Sequence, residues 1–311
     1  ALGAPGALGP PGALGAPGAP GAKTAGPPSA RAPGERAAAS GRPGFQIGDV
    51  LLSVRDVSLR LGGHLILDKV SFDVHDYIRE TTTGQIEALL GPSGVGKTRL
   101  LRIIAGLDAP DAGTVVGPGG APLTAGSVGV VFQDYPLLRH RTVLSNLLLA
   151  GKVGGLAPAA ATERAARLLA SFGLAERAHF YPAQLSGGQR QRAAIAQQLV
   201  VPRRLLLLDE PFSGLDPAAL DDVMKLIVEV ANLDSLNTIV IITHDIRAAM
   251  TVSDTLFVLG RDRDGDKLVP GARIQHTYNM VERGLAWRSD VQDAPEFAPL
   301  EREIKAQFRA L

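Results

Sequence analysis

The stretch QIEALLGPSGVGKTRLLRIIAG, residues 85–106, decides the fold. From Gly91 to Thr98 it has the form G-x-x-x-x-G-K-[ST]. The apolar run at residues 86–90 predicts a buried strand, and the apolar spacing over residues 98–105 predicts a helix. A strand, a glycine-rich loop and a helix in this order indicate a phosphate-binding loop.

The chemistry of this loop suits a nucleotide bound with magnesium. Glycines allow backbone N–H groups to approach a phosphate chain closely, and the helix N-terminus adds the positive end of its dipole. Lys97 can reach the β- and γ-phosphates, and the Thr98 hydroxyl suits Mg²⁺. The residues expected to bind the nucleotide here are Gly91, Pro92, Ser93, Gly94, Val95, Gly96, Lys97 and Thr98.

Two further apolar runs end in polar residues. The run RLLLLDEP, residues 204–211, predicts a central parallel strand that ends at Asp209 and Glu210. Ligands collect at the carboxyl ends of such strands, so Asp209 can hold Mg²⁺ and Glu210 can polarise an attacking water. The run TIVIIT, residues 238–243, predicts another strand. His244 follows it and is either an ordinary surface or core histidine or a contact of the γ-phosphate or the water.

The segment YPAQLSGGQRQRAAIAQQL, residues 181–199, is the most specific string in the chain. Ser186 is a good N-cap, two glycines follow it, and about three helical turns come next. This arrangement predicts a second anion-binding helix N-terminus in the same chain.

With these motifs, the sequence resembles the ATP-binding subunit of ABC transporters over about residues 48–260. The resemblance implies an α/β fold, a P-loop NTPase of ABC type. It has a mixed central sheet with flanking helices, an antiparallel β subdomain, and a helical subdomain (about residues 134–200) that carries the signature motif. The six matching elements follow the family's order: the Walker A loop at 91–98, the Q-loop Gln133, the signature LSGGQ at 185–189, Walker B at 205–209 with Glu210, the D-loop SGLD at 213–216, and His244.

The resemblance also implies a homodimer, or a pair with a like subunit, packed head to tail. ATP bound in the Walker A loop of one subunit would be closed over by the signature of the other. The signature residues assigned to that role are Ser186, Gly187, Gly188 and Gln189.

By the same resemblance, other residues complete the site. Gln133 would contact the Mg²⁺ or the water, beside a groove that docks the membrane subunits. Glu210 would be the general base, His244 would contact the γ-phosphate, and Asp216 would shape the partner's site. Relatives stack an aromatic ring on adenine, and Leu61 occupies that place here. Either Leu61 covers the base without stacking or the nearby His64 substitutes.

The implied function is that of the motor subunit of a bacterial importer. Such a subunit lies peripherally on the cytoplasmic face of the inner membrane, with permease subunits and a periplasmic or extracellular binding protein as partners. Residues 133–146 and 211–216 look most like the nitrate, sulfonate and taurine group, and importers of polar amino acids or other small solutes are the alternative. A non-transport ABC ATPase, acting in repair or on ribosomes, is a second alternative, although the chain lacks the long coiled coil of the repair members.

Composition limits the remaining possibilities. The chain has 311 residues, no cysteine and a formal net charge of +1. A disulfide framework and thiolate metal sites are therefore excluded. The prefix is more basic than acidic, which leaves the remainder slightly acidic and argues against a nucleic-acid partner. No apolar run approaches the length of a membrane span.

The domain prediction has three parts. Residues 1–44 form a disordered prefix rich in Ala, Gly and Pro; its glycine at every third position is collagen-like, but a trimer conflicts with a two-fold ATPase pair. Residues 45–260 form the ABC domain, in which residues 76–83 make an extended hairpin loop. Residues 261–311 form an extension with a terminal amphipathic helix, which either packs on the body or serves a dimer or regulatory contact. Its apolar positions are Phe297, Leu300, Ile304, Phe308 and Leu311.

Overall fold

A computed structural model of the chain describes residues 44–79, 84–232, 238–265 and 267–311. The predicted disordered prefix lies outside the described residues except for Gly44. Residues 80–83 of the predicted hairpin loop lie outside them as well.

The described strands form one mixed sheet of nine strands in the order β4-β1-β2-β9-β8-β3-β7-β6-β5. β3 runs parallel to β7 and β8, and β6 runs parallel to β7 and β5. β1 is antiparallel to β2 and β4, and β8 is antiparallel to β9. The strands are β1 Gln46–Leu61, β2 His64–Ile78, β3 Gln85–Leu90, β4 Ala112–Val116, β5 Gly129–Val131, β6 Leu205–Asp209, β7 Thr238–Thr243, β8 Thr255–Asp264 and β9 Lys267–Asn279.

The three central parallel strands are buried along their whole length. Every residue of β3, β6 and β7 is buried, which explains why their sequences are nearly continuous apolar runs. In β6, Leu206 and Leu208 pack into one core cluster, whereas Leu205 and Leu207 pack into another. The predicted strands at residues 86–90, 204–209 and 238–243 are thus confirmed, and the carboxyl ends of β3, β6 and β7 meet at one edge of the sheet.

Seven described helices flank the sheet or extend from it. Three of them, α2 to α4, lie between β5 and β6 along the chain and pack on one another. The Arg164 guanidinium of α3 donates to the carbonyls of Val200 and Leu199 at the end of α4, which satisfies free helix-end acceptors. The helices are α1 Lys97–Ile104, α2 Val143–Val153, α3 Pro158–Ser171, α4 Gly187–Leu199, α5 Pro217–Asn232, α6 Ile246–Val252 and α7 Phe297–Ala310.

The C-terminal part of the described chain continues the same sheet. β8 crosses the boundary expected at residues 260 and 261, and its antiparallel pairing with β9 carries the sheet onward. The structure has a helix, α7, in the stretch for which the sequence predicts a terminal amphipathic helix. Phe297, Leu300 and Ile304 are buried in a cluster with residues of β8, β9 and α6. The apolar face of α7 therefore packs on the body, as the first of the two interpretations expected.

The predicted hairpin loop at residues 76–83 begins later than expected. The strand β2 continues to Ile78, and Tyr77 and Ile78 are paired with β1 rather than looped out. The pairing of Gln46 with Ile78 and of Ile47 with Tyr77 extends the ladder to the first residues of β1.

Two buried carboxyl groups lie near the amino end of β3. The Asp254 carboxylate accepts a hydrogen bond from the Ile86 N–H at 3.0 Å, and Glu87 is 1% exposed. Burial raises the pKa of Asp254 to about 7, although the Ile86 N–H and Arg79 partly offset this. Burial and the Asp254 charge raise the pKa of Glu87 well above its ordinary value. Protonation of this pair is therefore linked to folding.

We expect Asp254→Asn to reduce the pH dependence of stability. The pKa of Asp254 is higher in the folded state than in the unfolded state, so its contribution to stability falls as the pH rises from about 4 to about 7. Asparagine keeps the oxygen that faces the Ile86 N–H but cannot ionise. The free energy of unfolding of the variant minus that of the wild type should therefore increase by a few kcal/mol between about pH 5 and about pH 8.

Urea unfolding at both pH values measures this difference. The control is Asp49→Asn, because Asp49 is exposed. An equal pH response in the wild type and in both variants would contradict the assignment to Asp254.

Candidate functional site

The phosphate-binding loop joins β3 to α1 and is shaped by close packing. Gly96 has a φ of 117°, and a Cβ there would lie 3.0 Å from the side chains of both Ile66 and Leu67 in β2. A Cβ at Gly91 would lie 2.7 Å from the Leu259 carbonyl oxygen. Glycine is therefore required at both positions to bring the loop against β2 and β8. The loop ends where α1 begins, so the first N–H groups of α1 are available to an anion.

Lys97 lies within this loop and is 6% exposed. Its ammonium donates to the carbonyls of Gly91 at 2.8 Å and Pro92 at 3.1 Å. The same nitrogen is 3.3 Å from a carboxylate oxygen of Glu210. The loop carbonyls and Glu210 thus compensate the buried positive charge of Lys97. The same ammonium could bind a phosphate group in their place.

Asp209 and Thr98 provide a pair of oxygen ligands beside the loop. The Thr98 hydroxyl donates to the Asp209 carboxylate at 3.3 Å, and Asp209 is 5% exposed. Burial raises the pKa of Asp209, the nearby Glu210 charge adds to the rise, and Thr98 and Lys97 oppose it. A hydroxyl and one carboxylate fit Mg²⁺, which takes its other ligands from phosphates and water. The described residues contain no cluster of three or more His, Asp or Glu side chains that could hold a metal ion.

Glu210 lies between Lys97 and His244. One oxygen of its carboxylate is 2.8 Å from His244 Nδ1 and accepts from the His244 backbone N–H at 3.3 Å. The Glu210 N–H donates to the Ile242 carbonyl of β7 at 2.7 Å. Its φ of 49° is uncommon for a residue other than glycine and indicates local strain at this point of the chain. The structure thus brings together the loop, the acidic pair and His244, the residues that the sequence assigned to one site.

Gln133 and Asp216 are both exposed. The Gln133 amide donates to the Ser213 hydroxyl at 3.3 Å, three residues beyond Glu210. Asp216 accepts from the Ala219 N–H at 3.0 Å and so satisfies a free donor in the first turn of α5. Gln133 is thereby connected to the segment that follows the acidic pair.

The signature segment ends in an open helix N-terminus. Ser186 accepts from the Gln189 N–H, and the Gln189 side chain accepts from the Ser186 N–H at 3.0 Å, which forms a capping box. The predicted N-cap and helix are therefore confirmed. An ideal Cβ at Gly187 or Gly188 would have nothing within 4 Å among the described residues, and neither glycine has a positive φ. Packing against the described residues therefore does not explain why both positions are glycine.

Leu61 lies at the end of β1 and is 38% exposed. It pairs with His64 across a turn formed by Gly62 and Gly63. β2 begins at His64, and its residues Ile66 and Leu67 approach Gly96 of the phosphate loop. The role of Leu61 or His64 at the adenine stays a prediction.

Two residues of this region were not singled out by sequence reasoning. Gln191 of α4 is 1% exposed and donates to the Pro211 carbonyl at 3.0 Å. Tyr135 donates to the same carbonyl at 3.5 Å and has a φ of 47°. The available sequence signal for Gln191 was a polar residue on the apolar face of a helix, whereas Tyr135 carried no comparable signal.

A site of this construction, with a glycine loop on one parallel strand and an acidic pair on another, is that of a P-loop NTPase. Residues 74–213 match the family model of the ABC transporter. The described body has the ABC-type ATPase fold, and the match to the ABC transporter family model lies within this body.

Curated relatives agree with this family. The sulfate/thiosulfate import ATP-binding protein CysA of Mycolicibacterium paratuberculosis is 40% identical over 224 residues, which cover 71% of this chain and 60% of that protein. The spermidine/putrescine import ATP-binding protein PotA of Nitrosospira multiformis is 41% identical over 217 residues, 68% of this chain and 57% of that protein. The chain therefore spans about 60% of the length of the curated relatives it matches.

Solved structures give the same fold. CbiO1 of Clostridium perfringens, part of the ABC transporter complex CbiONQ, has a TM-score of 0.64 at 26% identity and covers 84% of this chain and 96% of its own. The ADP conformation of another ATP-binding cassette has a TM-score of 0.61 at 23% identity, covering 80% and 97%, which supports the fold alone. In the part of the chain that the structure describes, no helix is both long and apolar enough to cross a bilayer.

Proposed function

We propose that this chain binds and hydrolyses MgATP as the motor subunit of an ABC importer. The observation that carries this proposal is the position of Glu210, held between Lys97 and His244 beside Asp209 and the phosphate loop. The family match and the relatives named as import ATP-binding proteins support the transport part.

The chemistry follows from the contacts of the site. The loop N–H groups and Lys97 bind the phosphates, which replace the Gly91 and Pro92 carbonyls as partners of the lysine. Thr98 and Asp209 would hold Mg²⁺, which neutralises phosphate charge when bound. Once Lys97 has turned to the phosphates, Glu210 is free to accept a proton from water.

The residues around Glu210 orient it for this role. The short contact with His244 Nδ1 restrains the carboxylate, and its bond to the backbone N–H of His244 fixes it further. The other ring nitrogen of His244 is then available to the γ-phosphate. Gln133, anchored to Ser213, would orient the water or complete the Mg²⁺ ligands.

A pair of like subunits explains the open signature segment. The capped helix at Ser186 and the two unobstructed glycines offer N–H groups to an anion from outside this chain. A nucleotide bound in the loop of a second copy supplies that anion, and Asp216 would lie near the same boundary. This subunit would lie on the cytoplasmic face of the membrane, and permease subunits and a periplasmic or extracellular binding protein would complete the importer.

The cargo belongs to the other subunits, so it is proposed from the relatives. The two relatives described above are named for import of sulfate/thiosulfate and of spermidine/putrescine. We therefore propose a small charged solute, whereas the nitrate, sulfonate and taurine group and the polar amino acids stay predictions.

Metal removal tests the enzymatic part of the proposal. The purified chain should hydrolyse ATP with Mg²⁺ present, lose essentially all activity with excess EDTA, and regain it when Mg²⁺ is restored in excess. Phosphate release measures each step. Absence of hydrolysis with Mg²⁺, or a rate unchanged by EDTA, would contradict the proposal.

A further inference from the structure

Gln191 makes a buried polar contact that the proposed mechanism does not use. It lies on α4, just beyond the signature residues, and is 1% exposed. Its side-chain amide donates to the Pro211 carbonyl at 3.0 Å. Its amide oxygen has no hydrogen-bond partner among the described residues. The side chain therefore uses its amide donor, whereas the accepting capacity of its oxygen is unused among the described residues.

Packing alone would favour an apolar residue at this position. The other buried residues of α4 are all apolar: Ala193, Ala194, Ile195 and Ala196. A buried amide with an unpartnered oxygen costs about 1–3 kcal/mol relative to a satisfied group. What glutamine supplies, and methionine or leucine could not, is a donor for the Pro211 carbonyl.

Pro211 belongs to the segment that places the general base. The catalytic turn, defined here as residues 210–213, begins with the strained Glu210 and is closed by the Ser213 N–H donating to the Glu210 carbonyl at 3.2 Å. Gln191 contacts this turn from α4. Tyr135 contacts the same Pro211 carbonyl from the segment that follows β5. Burial raises the pKa of Tyr135 to about 12, so its hydroxyl stays protonated and can donate.

We propose that Gln191 is a positioning residue that couples the signature helix to the catalytic turn of the same subunit. Glu210 serves the nucleotide in its own loop, whereas Ser186 serves the nucleotide of the partner. The Gln191–Pro211 bond therefore connects one ATP site to the other through α4. The connection between two sites rests on the dimer proposed above, whereas the positioning of the turn does not.

Gln191→Met tests this inference, because methionine has a similar length and no donor. Its matched control is Ile195→Val, which changes a buried side chain of the same helix without altering a hydrogen bond. Hydrogen exchange of a peptide covering residues 209–216 should rise in Gln191→Met and not in Ile195→Val. This measurement needs neither hydrolysis nor a dimer.

Kinetics test the coupling itself. In Gln191→Met, kcat should fall about tenfold while KM for ATP stays within about twofold, and the Hill coefficient should move toward one.

A merely structural role would lower the melting temperature of both variants and leave kcat per folded molecule unchanged. Equal exchange in the two variants would overturn the positioning role, and an unchanged Hill coefficient with lowered kcat would overturn the coupling. Failure of the wild type to hydrolyse ATP would instead count against the proposed function.

Discussion

Glu210→Gln should lower ATP turnover by about 100-fold or more while ATP still binds. The amide keeps the shape of the side chain and its place beside His244, but it cannot accept a proton from water at neutral pH. The loop and the Thr98–Asp209 pair are left intact, so nucleotide affinity should change little. Because bound ATP then persists, the variant should also accumulate as an ATP-bound dimer. Phosphate release, nucleotide binding and size-exclusion chromatography measure the three effects.

Glu229→Gln is the matched control, because Glu229 is an exposed acid on α5. It should hydrolyse ATP at the wild-type rate. Near-normal turnover in Glu210→Gln would remove this residue from the role of base.

Lys97→Ala should weaken both ATP binding and hydrolysis by about 100-fold. The substitution removes the one side-chain cation within the described phosphate loop. It also leaves the Gly91 and Pro92 carbonyls without their donor and the Glu210 carboxylate without its ion-pair partner. A loss of stability of about 1–3 kcal/mol should accompany the loss of binding.

Arg99→Ala is the control for Lys97→Ala. Arg99 lies on the same helix, is about half exposed and pairs with Asp108 away from the loop. Calorimetric titration with ATP and thermal unfolding should show wild-type behaviour for Arg99→Ala. If Lys97→Ala retained wild-type affinity, the loop would not bind the phosphates through this lysine.

Much of the site was predictable because its residues are adjacent in sequence. The loop at residues 91–98 lies between a fully buried strand and α1, and both elements follow from local hydrophobic periodicity. Asp209 is the last residue of the buried strand β6, and His244 follows the buried strand β7. Parallel pairing of these strands brings their carboxyl ends together. The signature helix was predictable from its N-cap and its apolar face.

The rest depends on contacts between distant segments. The expected boundary at residues 260 and 261 falls within β8, because the pairing of β8 with β9 decides where the sheet ends and no local signal marks it. The ion pair of Lys97 with Glu210 joins the start of α1 to the residue that follows β6, and only the folded geometry shows that the two charges compensate each other. The strained backbone of Glu210 and Tyr135 is imposed by the same tertiary packing.

The central claim is that each ATP site is built from two copies of the chain, and a mixing experiment tests it most directly. Ser186→Arg blocks the signature, and Lys97→Ala disables the loop, so each variant alone should be inactive. A mixed dimer combines an intact loop from one subunit with an intact signature from the other. Hydrolysis in the mixture should therefore rise above the sum of the two variants, to at most roughly a quarter of the wild-type rate. Activity in Ser186→Arg alone, or no rise when mixed dimers are shown to form, would contradict the account.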